Sequence, residues 1–183
     1  MEELSLHILD IAENSVAAQA DMIEIKIIEN EEKDLLSLEI IDNGTGMSKE
    51  RIRKVLDPFF TTKKTRRFGL GLSLLSEAAK AANGNFSIIS KRGKGTKVKA
   101  EFQYSHIDRQ PLGDIGQTIL TLVMGNPEIN LVYTHRRNGH EYNLDIRKLK
   151  HRLKDQYINS PEGIRMLREN LEEMKKKLTG GKK

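Results

Sequence analysis

The sequence predicts an α/β (α+β) two-layer sandwich, with a mixed β-sheet covered on one face by helices and a small α+β C-terminal appendage. Two sets of strands predict it, one within 22–42 and one within 86–103, together with helices over 4–20 and 70–82. The strand alternation demands one buried face, and each helix carries an apolar stripe to cover it.

Residues 4–20, LSLHILDIAENSVAAQA, place apolar residues at helical spacing. After Asp21, MIEIKII and LLSLEIID form two strands joined by the polar turn Glu29 to Asp34. The second strand ends in DNGTGM, a cluster of small and turn-forming residues. Ser48 is the expected N-cap of a short helix, with Arg51 where a capping box would place Glu. Residues 57–69 form a loop with Pro58 and the basic run Lys63, Lys64, Arg66 and Arg67. GLGLSLLSEAAKAANG is a helix entered through glycines and closed by Asn83-Gly84. NFSIIS and TKVKAEFQY are strands joined by a tight KRGKG turn.

The pattern changes after Tyr104, so two units are expected, 1–106 and 107–183. The second opens with a helix bounded by prolines. It continues with a hairpin, INLVYTHRRNGHEYNLDI, tipped by Asn138-Gly139, and closes with helical segments 147–157 and 162–178. His135, Arg136, Arg137, His140 and Arg147 lie on or near the hairpin, which reads first as an exposed, solvated element and otherwise as an extension of a sheet.

Composition narrows the function. The chain has 183 residues and no Cys, which excludes disulfides, thiolate nucleophiles and Cys-ligated zinc. No apolar run approaches a membrane span of about 20 residues, and the acidic start Met1-Glu2-Glu3 is unlike a signal peptide, so a soluble cytoplasmic protein is expected. Residues 147–183 hold 12 Lys/Arg against 5 Asp/Glu, and the remainder holds 19 against 21. The basic character belongs to the tail, which leaves nucleic-acid binding to the tail alone.

Three segments carry possible chemistry. His7, Asp10 and Asn14 fall within about 60° of one another on the first helix. Asn14 offers a neutral oxygen suited to Mg²⁺, and Asp10 a carboxylate able to orient or deprotonate water. Taken alone, the stripe also suits a solvent-facing helix surface. Asp42 in DNGTG can accept a hydrogen bond from an exocyclic amine, while Gly44 and Gly46 let backbone approach a flat ligand; alone, the segment is an ordinary Asn-Gly turn. Gly69-Leu70-Gly71-Leu72 exposes backbone N–H groups at a helix start behind a basic run, suited to an anion or equally to a glycine hinge. Neither a P-loop nor a dinucleotide fingerprint is present.

Together, the segments resemble the GHKL (Bergerat-fold) ATPase superfamily of gyrase B, MutL-type repair proteins, ninety-kilodalton heat-shock chaperones and sensor histidine kinases. LDIAENSVAAQA resembles the first box, DNGTGM the adenine box, and DPFFTTK with RRFGLGLSLLSEAAKAANGNFSIISKRGKGTKVKAEF the lid, glycine box and final strands; Gly93, Gly95 and Thr96 match the last box. The likeness covers residues 4–102. It implies a histidine-kinase-like ATPase domain with ATP and Mg²⁺ as cofactors. Asn14 would bind the metal, and Asp42 the adenine amine, with Thr96 assisting through a shared water. Gly44, Gly46 and Met47 would line the base pocket; Lys63 and the backbone of Gly69, Leu70, Gly71 and Leu72 would hold the phosphates. Asp10 stands at the general-base position, where repair-type members have Glu; Glu13 is about 100° round the helix from Asn14. Arg67 stands where many members have the first glycine of GxGLGL. Helix His7 is expected at the pocket edge or in solvent rather than as a phospho-acceptor.

The expected function is a stand-alone regulatory kinase or ATP-dependent switch without a phospho-acceptor histidine domain, acting on a partner protein or an acceptor in trans. The alternatives are an ATP-hydrolysing clamp and a non-enzymatic ATP-sensing module.

Overall fold

The computed structural model describes residues 3–56, 71–154 and 156–179. In chain order the elements are α1 (Leu4–Ala17), β1 (Met22–Asn30), β2 (Leu35–Asp42), α2 (Lys49–Val55), α3 (Gly71–Ala81), β3 (Asn85–Ser90), β4 (Thr96–Gln103), α4 (Ile115–Gly125), β5 (Asn130–Arg137), β6 (His140–Asp145), α5 (Ile146–Leu153) and α6 (Pro161–Leu178). The strands form one six-stranded sheet in the order β3-β4-β2-β1-β5-β6. Neighbours are antiparallel except β1 and β5, which run parallel, so the sheet is mixed because of β5.

The predicted one-sided sandwich is present. Alternate residues of β1 (Ile23, Ile25, Ile27), β2 (Leu36, Leu38, Ile40) and β4 (Val98, Ala100, Phe102) are buried on one face. The stripe Leu4, Ile8, Ile11 and Ala12 of α1 covers them, flanked by α3 on one side and α4 on the other. The opposite face stays open and carries a ladder of ion pairs: Lys26 to Glu24 (3.1 Å) and Glu39 (3.6 Å), and Lys97 to Glu39 (2.8 Å). Such half-exposed pairs hold the polar face in solvent and contribute at most about 1 kcal/mol each.

The hairpin of β5 and β6 is not the exposed element that its charge suggests. It continues the sheet across residue 106 and buries Leu131, Tyr133, Tyr142 and Leu144 beneath α6. Arg136 and Glu141 point away from these apolar positions because side chains alternate along a strand, whereas His135 and Arg137 share their face. Asn138 (φ 46°) and Gly139 (φ 87°) form the expected tip. The segment after Gln110 also caps α1: Pro111 and Leu112 carbonyls accept from Leu4 N and Ser5 N, both at 2.9 Å.

His7 is a second departure. It is 1% exposed, with Nε2 bonded to Gln110 Oε1 at 3.0 Å and Nδ1 buried without a partner among the described residues. It faces α1's packing side, neither at a pocket edge nor in solvent. Burial, opposed by the Gln110 bond, pushes its pKa down. Among the described residues no helix is long and apolar enough to cross a membrane.

A buried polar chain pins the β1–β5 seam. The Tyr133 hydroxyl lies 2.7 Å from His135 Nδ1, and His135 Nε2 lies 2.8 Å from Glu29 Oε1. Burial raises the Glu29 pKa, but the hydrogen bond and charge of His135, with Arg137 and Arg109, outweigh it and hold the carboxyl below its usual range. A depressed carboxyl contributes stability above its unfolded pKa, near 4.5, and loses it as pH falls through the folded value. His135→Ala should cost about 2 kcal/mol in urea unfolding at pH 7. The deficit should shrink as pH falls through the folded Glu29 value, which lies below its usual 4.5; equal stability at pH 7 would show that the seam does not need this chain.

Candidate functional site

The buried face ends in polar residues. Along β2 the positions Leu36, Leu38 and Ile40 are followed two residues later by Asp42, so the pleat sets this carboxylate on the core face where the helix layer stops. Thr96 is its register partner on β4. A cleft of about 160 Å³ opens here between the C-terminal half of α1, α2, the start of α3 and the ends of β2 and β4.

Asp42 is held by three donors. Oδ1 accepts from Gly44 N (2.9 Å) and Thr96 N (3.1 Å), and Oδ2 from Ser15 Oγ (2.8 Å). The loop that follows is stitched on both sides: Thr45 N bonds to Ala18 O (2.8 Å), and Gly93 N to Thr45 O (2.7 Å). Gly46 (φ +64°) and Gly95 (φ +81°) occupy left-handed backbone. A methyl group on Gly46 would overlap the Lys91 carbonyl, and one on Gly95 the Asp42 carbonyl. Ser90 ties these pieces together, because its Oγ accepts from Met47 N (2.8 Å), bonds to Gly95 O (2.9 Å) and lies 2.9 Å from Thr96 Oγ1.

Of the residues expected at the site, Asn14, Asp42, Gly46, Met47, Leu72 and Thr96 line the cleft. Gly44 lies behind it, packed against the Ala18 carbonyl. Asp10 and Gly71 sit together beside it: a methyl group on Gly71 would overlap the Asp10 carboxylate, which therefore lies against the first turn of α3. Burial raises the Asp10 pKa. Glu13 faces solvent. Lys63, Gly69 and Leu70 lie outside the described residues.

Three contributors escaped the sequence reading. Ser15 is 3% exposed inside the apolar stripe of α1, and a small hydroxyl in a core stripe was the available signal. Ser90 and Arg51 carried none. The cleft offers an anchored carboxylate, an apolar lining of Ile11, Val55, Met47 and Val98, and the Asn14 carboxamide, which has no hydrogen-bond partner among the described residues. That set fits a flat heterocycle with an exocyclic amine. Among the described residues no three His, Asp or Glu converge as a metal cage, so an all-protein cation site is absent there. One neutral oxygen, from Asn14, fits Mg²⁺ carried in by phosphates, since Mg²⁺ retains several waters and takes few protein ligands.

A helix-covered mixed sheet, with its cleft between the first helix and the turn after the second strand, is the architecture of the Bergerat ATP-binding fold. The chain belongs to the family of histidine kinase-, DNA gyrase B-, and HSP90-like ATPases, matched over residues 2–106. It is 33% identical over 90 residues to the sensor histidine kinase YxdK of Bacillus subtilis (strain 168), an alignment covering 47% of this chain and 27% of that kinase. The chain thus spans about a quarter of that relative's length. In structure it is similar to the Aquifex aeolicus MutL ATPase domain complexed with ADP (TM-score 0.52, 20% identity, 79% of this chain and 63% of that one). The N-terminal domain of a DNA repair protein is similar over 99% of this chain and 58% of its own (TM-score 0.54, 15% identity), so the likeness of fold extends past the family match into the C-terminal half.

The Asp10–Gly71 contact is testable. Gly71→Ala should destabilise the protein in the presence of Asp10 and do so far less in an Asp10→Ala background, with a coupling of about 1 kcal/mol or more in a double-mutant cycle of thermal unfolding. Additive effects would mean that the two residues do not share this space.

Proposed function

We propose that this chain binds Mg-ATP in the cleft at Asp42 and acts as a regulatory kinase or ATP-dependent switch on a partner protein in the cytoplasm. The observation that carries the reading is the grip on Asp42. Three protein donors fix the carboxylate on the rim of an apolar slot and leave it to accept one further hydrogen bond, from the adenine amine. Met47, Val98 and Ile11 supply apolar contact for the ring. Thr96, bonded through its backbone to Asp42 and near Ser90 through its hydroxyl, is placed to share a water with the base.

In this reading the phosphates extend from the slot toward the start of α3, where Gly71 and Leu72 stand with their first-turn N–H groups. Lys63, Gly69 and Leu70 belong to the same role by resemblance. Asn14 holds Mg²⁺, which supplies charge neutralisation of the phosphates. Asp10 lies beside the phosphate end, and its raised pKa makes it a stronger base than an exposed aspartate. Positioning and electrostatic stabilisation carry most of the rate in phosphoryl transfer, so a partner that supplies the acceptor completes the reaction. The relatives that are sensor kinases support a protein partner.

The deciding experiment is incubation with γ-labelled ATP and cell lysate: label passing to another protein supports a kinase, label released only to water supports a hydrolysing clamp, and none moved supports a sensing module. Asp42→Asn should weaken ATP binding by calorimetry at least tenfold, on the order of 1.4 kcal/mol, with an unchanged circular dichroism spectrum; unaltered affinity would falsify the adenine assignment. If Asp10 is the base, its raised pKa places the acid limb of the rate above the ordinary aspartate range, near pH 4, and Asp10→Asn abolishes turnover. An acid limb surviving in that variant would assign the titration elsewhere.

A further inference from the structure

The core face has a second polar end. Along β1 the buried positions Ile23, Ile25 and Ile27 are followed by Glu29, as Asp42 follows the apolar positions of β2, and Glu29 lies at the opposite end of the sheet. A second cleft of about 510 Å³ opens there, larger than the one at Asp42 and within the usual range for a small-molecule site. It lies between the ends of β1 and β5, the start of α4 and the last turns of α6.

Its floor holds a pair of opposite charges that feel each other's field but make no direct contact. Glu29 and Arg137 are register partners on the parallel strands β1 and β5, so their backbones are about 4.8 Å apart. Both side chains line the cleft, yet no ion pair joins them. Glu29 is 9% exposed; Oε1 is held by His135, while Oε2 has no partner among the described residues and is not sealed from the cleft. The Arg137 guanidinium makes one loose contact, 3.9 Å from Glu31, and its side chain is 39% exposed. Oε2 is open to the cleft, where it is free to accept from a ligand in place of water. The other two carboxylates of the cleft are engaged: Glu3 accepts from Ser5 Oγ (3.2 Å) and Asp114 from Gln117 N (2.9 Å). Lys175, paired with Glu172 at 3.3 Å, adds a cation to the lining, and Leu112, Ile115, Met174 and Leu178 supply apolar surface.

We propose that this cleft binds an α-amino acid with an aliphatic side chain, its ammonium on Glu29 Oε2, its carboxylate on Arg137 and its side chain against Leu112, Ile115 and Met174. The pairing follows from chemistry. An α-amino acid carries adjacent positive and negative groups, complementary to a carboxylate and a guanidinium side by side on neighbouring strands. A purely anionic ligand would face three carboxylates, and a purely cationic one would meet Arg137 and Lys175. The Tyr133–His135 chain fixes Glu29 in place before the ligand arrives, which lowers the cost of binding.

The test uses the full chain without nucleotide. Calorimetry and thermal melting are run with leucine at about 10 mM, with leucinamide, which lacks the carboxylate, and with 4-methylpentanoate, which lacks the ammonium. Leucine should bind and raise the melting temperature, and each analogue should bind at least about tenfold more weakly. Arg137→Met, at a half-exposed position, and Glu29→Gln should each weaken leucine by a similar factor. Asp42→Asn should leave it unchanged, so a failure at the nucleotide cleft cannot mimic a failure here. The proposal is overturned if leucine, isoleucine and methionine all give neither heat nor a shift, if leucinamide binds as well as leucine, or if Arg137→Met binds leucine like the parent chain.

Discussion

A carboxylate on the apolar face of a sheet is an expensive arrangement, and Asp42 persists there because donors meet it from three directions. Each hydrogen bond to a charged acceptor contributes about 1.5–3 kcal/mol, and the donors come from separate parts of the chain: Ser15 on α1, Gly44 in the following turn and Thr96 on β4. The grip therefore depends on α1 lying across the sheet at the right height and on the β3–β4 turn closing over the loop. Gly46 and Gly95 allow that closure because backbone from Lys91 and Asp42 occupies the space where their side chains would stand. The cleft is thus a consequence of how the helix layer and the loop meet the last row of the sheet.

The same two elements, α1 and β1, serve both ends of the molecule. The C-terminal half of α1 carries Asn14 and Ser15, while its first N–H groups are capped by carbonyls of residues 111 and 112. β1 lies between β2, which brings Asp42, and β5, which brings His135 and Arg137. Both elements are largely buried along the core face, and each also packs against residues beyond the stretch matched by the family, α1 on α4 and β1 on β5.

Much of this was legible from the residues. Alternation in MIEIKII and spacing in LSLHILDIAEN reported strand and helix directly, because each has one buried face. Asp42, Asn14 and Thr96 were legible through their neighbours in sequence. What escaped depended on contacts distant in the chain. The charges of THRRNGHEY suggested a solvated hairpin, since periodicity does not say which strand will lie alongside; only pairing with β1 makes Tyr133 and His135 interior. His7 looked like part of a polar stripe, and became a core residue because the segment at Gln110 folds over it. Ser15 had no marker beyond being small and polar among apolar neighbours, and its partner is 27 residues away.

The parallel alliance of β1 with β5 also bears on the molecule's birth. β1 leaves the ribosome early, yet the strand that completes it follows about a hundred residues later, a delay of roughly 5–20 s at ordinary translation speeds. For that interval one side of β1 offers bare backbone, and the first N–H groups of α1 lack their acceptors. A nascent chain of this kind passes through a stage in which its family-matched half is spelled out but unfinished, and nearby chaperones or sister chains encounter it in that state.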